Sequence, residues 1–176
     1  VKAFAALIAA FVLAAPAAAQ QPMTYYAGPS RVTLPLTRAA DGKVFVQATV
    51  QGQPATLLID TGGSQFLDLA VCNRLGLKLT DSPQPGYGLG SGPTPFKTGY
   101  ADMRLGGLSV TGLPVSCIEM TELRALHKRQ KFPDFDGIVG SELMAALRAR
   151  LDYDRMIVEL RRPTRASMAK ELQHRR

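Results

Sequence analysis

The chain has no tryptophan, only two histidines and only two cysteines among its 176 residues, and each shortage closes a class of chemistry. Cys72, Cys117, His127 and His174 do not make a recognisable set of metal ligands, so neither a metal nor a cofactor is expected. Ser64 has no histidine in a triad context, which removes serine hydrolysis. His127 stands in a polar, basic run (Arg124, Lys128, Arg129, Lys131) and reads as a solvated side chain. The longest apolar run, Ala3 to Ala15, is short for a bilayer span. Lys2 precedes it and the small residues Ala17-Ala18-Ala19 follow, the pattern of an export signal over residues 1–19 cut near Ala19 or Gln20. A periplasmic or secreted mature protein is the expectation, with an uncleaved anchor as the alternative.

Charge is unevenly spread. The formal net charge is +7, yet from Arg161 onward six Lys or Arg face only Glu171, so the body between Gln20 and Leu160 is near neutral. The basic tail, residues 161–176, reads as solvated, with weak contact to an anionic membrane surface or an acidic partner as the sharper alternative. No aromatic residues interleave those charges, so no nucleic acid is expected as a partner. In an exported chain Cys72 and Cys117 suit one disulfide, and two buried free thiols fit the apolar patterns equally well.

What is present is a turn-rich chain, with 16 glycines and 12 prolines, sized for one mostly β domain. Residues 20–42 read as an N-terminal arm and first strand, Arg31 to Thr37, and residues 43–160 as the domain. Lys43 to Val50 alternates Val44, Val46, Ala48 and Val50 on one face, as a half-buried strand does. Gln51-Gly52-Gln53-Pro54 turns it back into the next strand. Phe66 to Leu77 carries apolar residues at helical spacing, with Gly76 where a helix C′ residue belongs. Asp81 to Pro95 is an irregular, Pro- and Gly-rich loop. Phe96 to Leu105 and Leu108 to Met120 read as strands, and Thr121 to Lys131 as a polar helix or loop. Ser141 to Arg150 reads as a helix with Ser141 as N-cap. Leu151 to Asp154 and Met156 to Leu160 form a closing hairpin.

The chain is organised around Ala55-Thr56-Leu57-Leu58-Ile59-Asp60-Thr61-Gly62-Gly63-Ser64, in which an apolar strand delivers a carboxylate into a glycine-rich turn. An ionised Asp at the end of a buried strand needs donors around it. Two hydroxyls and a run of backbone N–H groups supply them, and glycines let other groups come close. Farther on stands Phe135-Asp136-Gly137-Ile138-Val139-Gly140, followed at once by a helix-like segment.

Asp-Thr-Gly after an apolar strand, with that second apolar-apolar-Gly stretch, resembles the two halves of the retropepsin-like, single-lobed bacterial aspartic proteases; the likeness runs from Val44 to Leu160. The resemblance implies a mostly β, closed-barrel acid-protease fold with two short helices, acting on a protein or peptide substrate. It makes Asp60 catalytic, has Thr61 brace a partner's turn, and lets Gly62 admit water and peptide. It places a flap in the Pro- and Gly-rich loop, with Tyr87, Gly88 and Leu89 at its tip over the substrate. It puts the second turn, Asp136, Gly137, Ile138, Val139 and Gly140, beside the catalytic one, and the chain ends of such dimers often pair between subunits. The chain departs from the pattern at Gly63, where Ala or Ser is usual; the hydroxyl moves to Ser64, so tuning of the outer carboxylate oxygen either differs or passes to backbone N–H groups.

Carboxylate hydrolysis of a peptide needs two acids sharing a proton, and like charges at that distance titrate as a unit. One Asp-Thr-Gly is half a site, which a C2 homodimer completes. Asp136 lacks the Thr-Gly that shapes a catalytic turn and reads as a cap on turn backbone. The alternative is a noncatalytic peptide-binding or dimerisation module in which Asp60 only buttresses its turn.

Overall fold

A computed structural model of the chain describes residues 23–87, 92–121, 123–125 and 133–164. The expected export signal, the flap residues Gly88 and Leu89, His127 and the tail from residue 165 lie outside those residues.

The alternation expected around Val44 is present. In β3 (Val44–Val50) the residues Val44, Val46, Ala48 and Val50 are all buried in the main core, while Phe45 is buried on the opposite face. A two-residue turn, Gln51 and Gly52, joins β3 to β4 (Gln53–Ile59). Both turn residues have positive φ, 48° and 75°, the type I′ geometry whose twist matches that of the strands it links. Gln53 and Pro54, expected in the turn, instead begin β4 opposite Val50 and Thr49.

The hairpin is one side of a barrel. β4 pairs in parallel with β9 (Gly137–Val139), β9 with β5 (Phe66–Asp68), and β5 with β8 (Leu108–Ile118). β8 pairs with β7 (Lys97–Leu105), and β7 returns to β3 through Thr49 and Val50, closing a ring of six strands. Closure removes the exposed edges that a flat sheet would leave. Leu57, Leu67, Met103, Leu105, Leu108 and Val110 fill the larger core, and Phe45, Leu58, Ile138 and Phe135 form a smaller one, with the Phe45 and Phe135 rings 5.7 Å apart.

Flanking strands extend this body. β2 (Arg31–Arg38) lies between β3 and β11 (Ile157–Arg161), with β10 (Arg150–Asp152) outside β11. β6 (Thr80–Asp81) pairs with β7, and β1 (Tyr25–Ala27), from the arm read as irregular, pairs with β8. The described terminal strands thus find partners within the chain. Arg161, placed in the tail by its charge, closes β11 instead.

This is the mostly β, single-lobed closed barrel that the resemblance implied, with corrections among the helices. Phe66 to Asp68 is strand rather than helix, because these three residues are all buried between β8 and β9. Helix α1 is confined to Leu69–Arg74, and Asp68 caps it by accepting the N–H of Ala70. Gly76 follows with φ of 68°, the left-handed residue expected beyond the helix end. Helix α2 spans Ser141–Ala146, capped by Gly140 rather than by Ser141, and no side chain bonds at that cap. Beyond the two expected helices, residues 123–125 form a further helical stretch, with the N–H of Arg124 donating to Met120. Cys72 on α1 and Cys117 on β8, both wholly buried, form a disulfide, which resolves the alternatives left open by the sequence.

Candidate active site

β4 carries its apolar residues into the barrel and leaves Asp60 half-buried at its end, followed by the exposed Thr61 and Gly62. The backbone N–H of Asp60 donates to the carbonyl of Val139, 3.1 Å away, continuing the parallel register Leu57↔Gly137, Leu58↔Ile138, Ile59↔Val139. The two motifs singled out in the sequence are therefore adjacent strands, and the second fixes the height at which Asp60 emerges.

The carboxylate is set by backbone. Its Oδ1 accepts the N–H of Gly62 at 2.9 Å. Gly63 lies against the other oxygen: a Cβ at Gly63 would stand 2.7 Å from Oδ2 and 3.1 Å from Cγ. The glycine at the departing position is what gives this carboxylate room. Ser64 does not take over the missing hydroxyl contact; its Oγ faces Glu142 Oε1 at 3.3 Å. Thr61, whose expected role is in a partner's turn, has no side-chain hydrogen bond among the described residues.

The second motif fits because it is nearly bare. A Cβ on Gly137 would meet the Phe66 carbonyl oxygen at 2.4 Å, and one on Gly140 would meet Ser64 and Gln65 backbone at 2.4 and 2.5 Å. These glycines let β9 slide between β4 and β5 and press against the Asp60 turn. Immediately after, Ser141 donates to the Gly63 carbonyl both from its N–H and from its hydroxyl.

Asp136 does not join Asp60. Its Oδ2 accepts the N–H of Thr56 at 2.9 Å while its own N–H donates to the Thr56 carbonyl at 2.7 Å, and Arg74 stands 3.5 Å from Oδ1. Thr56 precedes Asp60 by four positions, about 13 Å along a strand. The carboxylate caps backbone, as expected, though on a strand distant in sequence rather than on its own turn.

Tyr87 is 80% exposed and adjoins Gly86, which forms a two-way backbone bridge with Thr94 at 2.8 Å. That bridge lies within the loop expected to hold the flap. Among the described residues no group of three His, Cys, Asp or Glu is placed to hold a metal ion.

Sequence reasoning missed Ser141 and Glu142. In the sequence Ser141 reads as a helix cap, because it stands before an apolar helical pattern. Nothing local signals that Ser141 clamps the turn or that Glu142 faces Ser64, because each partner lies 78 residues away.

The family profile described as aspartyl protease matches residues 46–143, more than half of the chain. A search of curated proteins gave no match. Among solved structures the chain is similar to a retropepsin-like aspartic protease from Rickettsia conorii, at 16% identity over 80% of this chain and 94% of that one, with a TM-score of 0.49. It is also similar to the retroviral protease-like domain of Ddi1 from Leishmania major, at 15% identity over 61% and 79% of the two chains, TM-score 0.43. A third similar structure is EIAV protease complexed with the inhibitor HBY-793, at 20% identity over 66% and 98%, TM-score 0.42.

Proposed function

This chain belongs to the aspartyl protease family, and from that premise we propose that two copies of it together hydrolyse peptide bonds, using a water held between their two Asp60 carboxylates. The observation that carries the reading is the state of the acids in one chain. Asp60 emerges at the end of β4, half-buried in an exposed turn, with one oxygen on the Gly62 N–H. Asp136, the other acid in the paired motifs, is bonded to Thr56. A single chain offers half of a proton-sharing pair, and an isologous dimer supplies the other half from the same surface.

In that arrangement the ionised carboxylate takes a proton from the water as its oxygen attacks the peptide carbonyl carbon. The protonated one gives its proton to the carbonyl oxygen. Collapse of the tetrahedral intermediate breaks the C–N bond, with a proton passing to the departing amine. Gly62 and Gly63 carry no side chain, so water and an extended peptide reach the pair. The loop bearing Tyr87 covers the peptide, which main-chain hydrogen bonds hold in extended form.

The protein acts outside the cytoplasm in this reading, delivered by residues 1–19. The Cys72–Cys117 disulfide supports it, since such bonds persist in oxidising compartments.

The test compares the mature protein with Asp60→Asn on a peptide library, beside sedimentation across concentration. Turnover lost in Asp60→Asn, and specific activity rising with the dimer fraction, is the expected result. Equal turnover in both proteins would end the enzymatic reading and leave a noncatalytic module. Full activity in a strictly monomeric protein would end the two-chain site.

A further inference from the structure

Arginine stands opposite arginine where β2 meets β11. Arg31 and Arg161 are direct register partners at the end of the two strands, both exposed, and like charges in that relation destabilise a strand pair. Arg162 follows, also exposed, with its N–H on the Ser30 carbonyl at 2.9 Å. The N–H of Arg161 donates to the Leu147 carbonyl at 2.7 Å, which brings the next residue, Arg148, to the same corner. Arg148 is exposed and has φ of 45°, the left-handed position beyond a helix end that glycine adopts with least strain. None of these four arginines takes part in an ion pair among the described residues. The nearest acid in register, Glu159, stands opposite Arg150 on one side and Thr33 on the other. Beyond the corner, residues 165–176 add Arg165, Lys170, Arg175 and Arg176 against Glu171. At Arg31 with Arg161, and again at Arg148, the residue present opposes folding, so the fold does not account for these arginines.

We infer that this corner is a docking surface for an anionic phospholipid membrane. Guanidinium groups bond phosphate oxygens in pairs, and basic residues held near an anionic bilayer add their attractions one by one. None of the four is flanked in sequence by an aromatic residue, the platform on which bases of single-stranded nucleic acid stack. The position also suits a membrane. Arg31 is seven residues along β2 from Arg38, about 23 Å of strand, and Arg38 pairs with Val44, at the level where β4 ends and Asp60 follows. A bilayer seated at the corner therefore leaves the Asp60 turn uncovered. The surface serves this purpose whether or not Asp60 hydrolyses anything.

The experiment measures co-sedimentation of the mature chain, beginning at Gln20, with vesicles of phosphatidylglycerol and phosphatidylcholine in equal parts, beside vesicles of phosphatidylcholine alone, at about 0.1 M salt. Binding to the anionic vesicles and not to the neutral ones is expected. Arg31→Gln with Arg161→Gln should weaken it about 25-fold, roughly fivefold for each arginine removed, and should leave Tm equal or higher, since the opposed charges are gone. Arg148→Gly, which suits the left-handed backbone, should weaken binding about fivefold at unchanged or higher Tm. Lys78→Gln with Arg104→Gln removes the same charge elsewhere on the body and should have the smaller effect. Equal binding to both vesicles, a loss in the Lys78 and Arg104 variant as large as in the Arg31 and Arg161 variant, or no loss in the latter because the tail carries all the binding, would overturn the surface. So would tighter binding to a single-stranded RNA homopolymer than to the anionic vesicles in the same salt. No peptide is present in these measurements, so failure here leaves the hydrolytic reading standing, and failure there leaves this one.

Discussion

Ser141 donates twice to one oxygen: its N–H and its hydroxyl lie 2.9 and 3.2 Å from the carbonyl of Gly63. The start of α2 thereby clamps the turn that carries Asp60. The bond spans 78 residues, and it joins the two motifs at the point where the first stops being strand and the second becomes helix.

Ser141→Ala keeps the backbone donor and removes the hydroxyl. It should cost about 1 kcal/mol of stability, read from denaturant midpoints at unchanged m. If the clamp holds the turn in its working geometry, kcat on a cleavable peptide falls more than KM changes.

Gly140→Ala is expected to be far more disruptive. The new Cβ would lie within 2.7 Å of three backbone atoms, the C of Ser64, the N of Gln65 and the O of Gly63, none of which can swing away as a side chain end does. Overpacking of this kind costs about 3 kcal/mol or more, and a fall in Tm of roughly 10 °C by calorimetry follows for a domain of this size.

Gly63→Ala separates function from stability. Its Cβ would meet the carboxylate of Asp60 rather than backbone, so the strained group is the acid itself. The expected result is a Tm within about 2 °C of the parent and a fall of roughly tenfold in kcat/KM, about 1.4 kcal/mol of transition-state stabilisation. Unchanged kcat/KM would show that the carboxylate tolerates the displacement.

The disulfide closes a separation of 45 residues, for which chain entropy gives about 4 kcal/mol of stabilisation. Unfolding of the double variant Cys72→Ala, Cys117→Ala should therefore occur at markedly lower denaturant than that of the parent. Adding reductant should lower the midpoint of the parent and leave that of the variant where it is.

Much of the barrel was legible because its strands obey local rules. Val44, Val46, Ala48 and Val50 alternate, Gln51-Gly52 turns, and the apolar run from Ala55 ends at an acid. Phe66 to Asp68 fits a helix as well as a strand in sequence, because the two periods cannot be told apart over a short apolar run; pairing with β8 and β9, which bury all three residues, makes it strand. The arm around Tyr25 showed no period, yet it pairs with β8 because an edge was open there. In the site, Asp60 and its turn were readable from three letters and their strand. The partners Ser141 and Glu142 were not, since a hydrogen bond between distant segments leaves no pattern in either one.

By itself the sequence determined which acid ends a buried strand, which glycines follow it, and that a second glycine-flanked apolar stretch exists to pack there, because strand period and missing side chains are local properties. Only the tertiary structure decided that Asp136 is bonded to Thr56 and removed from Asp60, that Cys72 meets Cys117, and that Ser141 donates to the Gly63 carbonyl. Those outcomes depend on which segments the closing barrel brings within about 3 Å of each other, the range over which hydrogen bonds act.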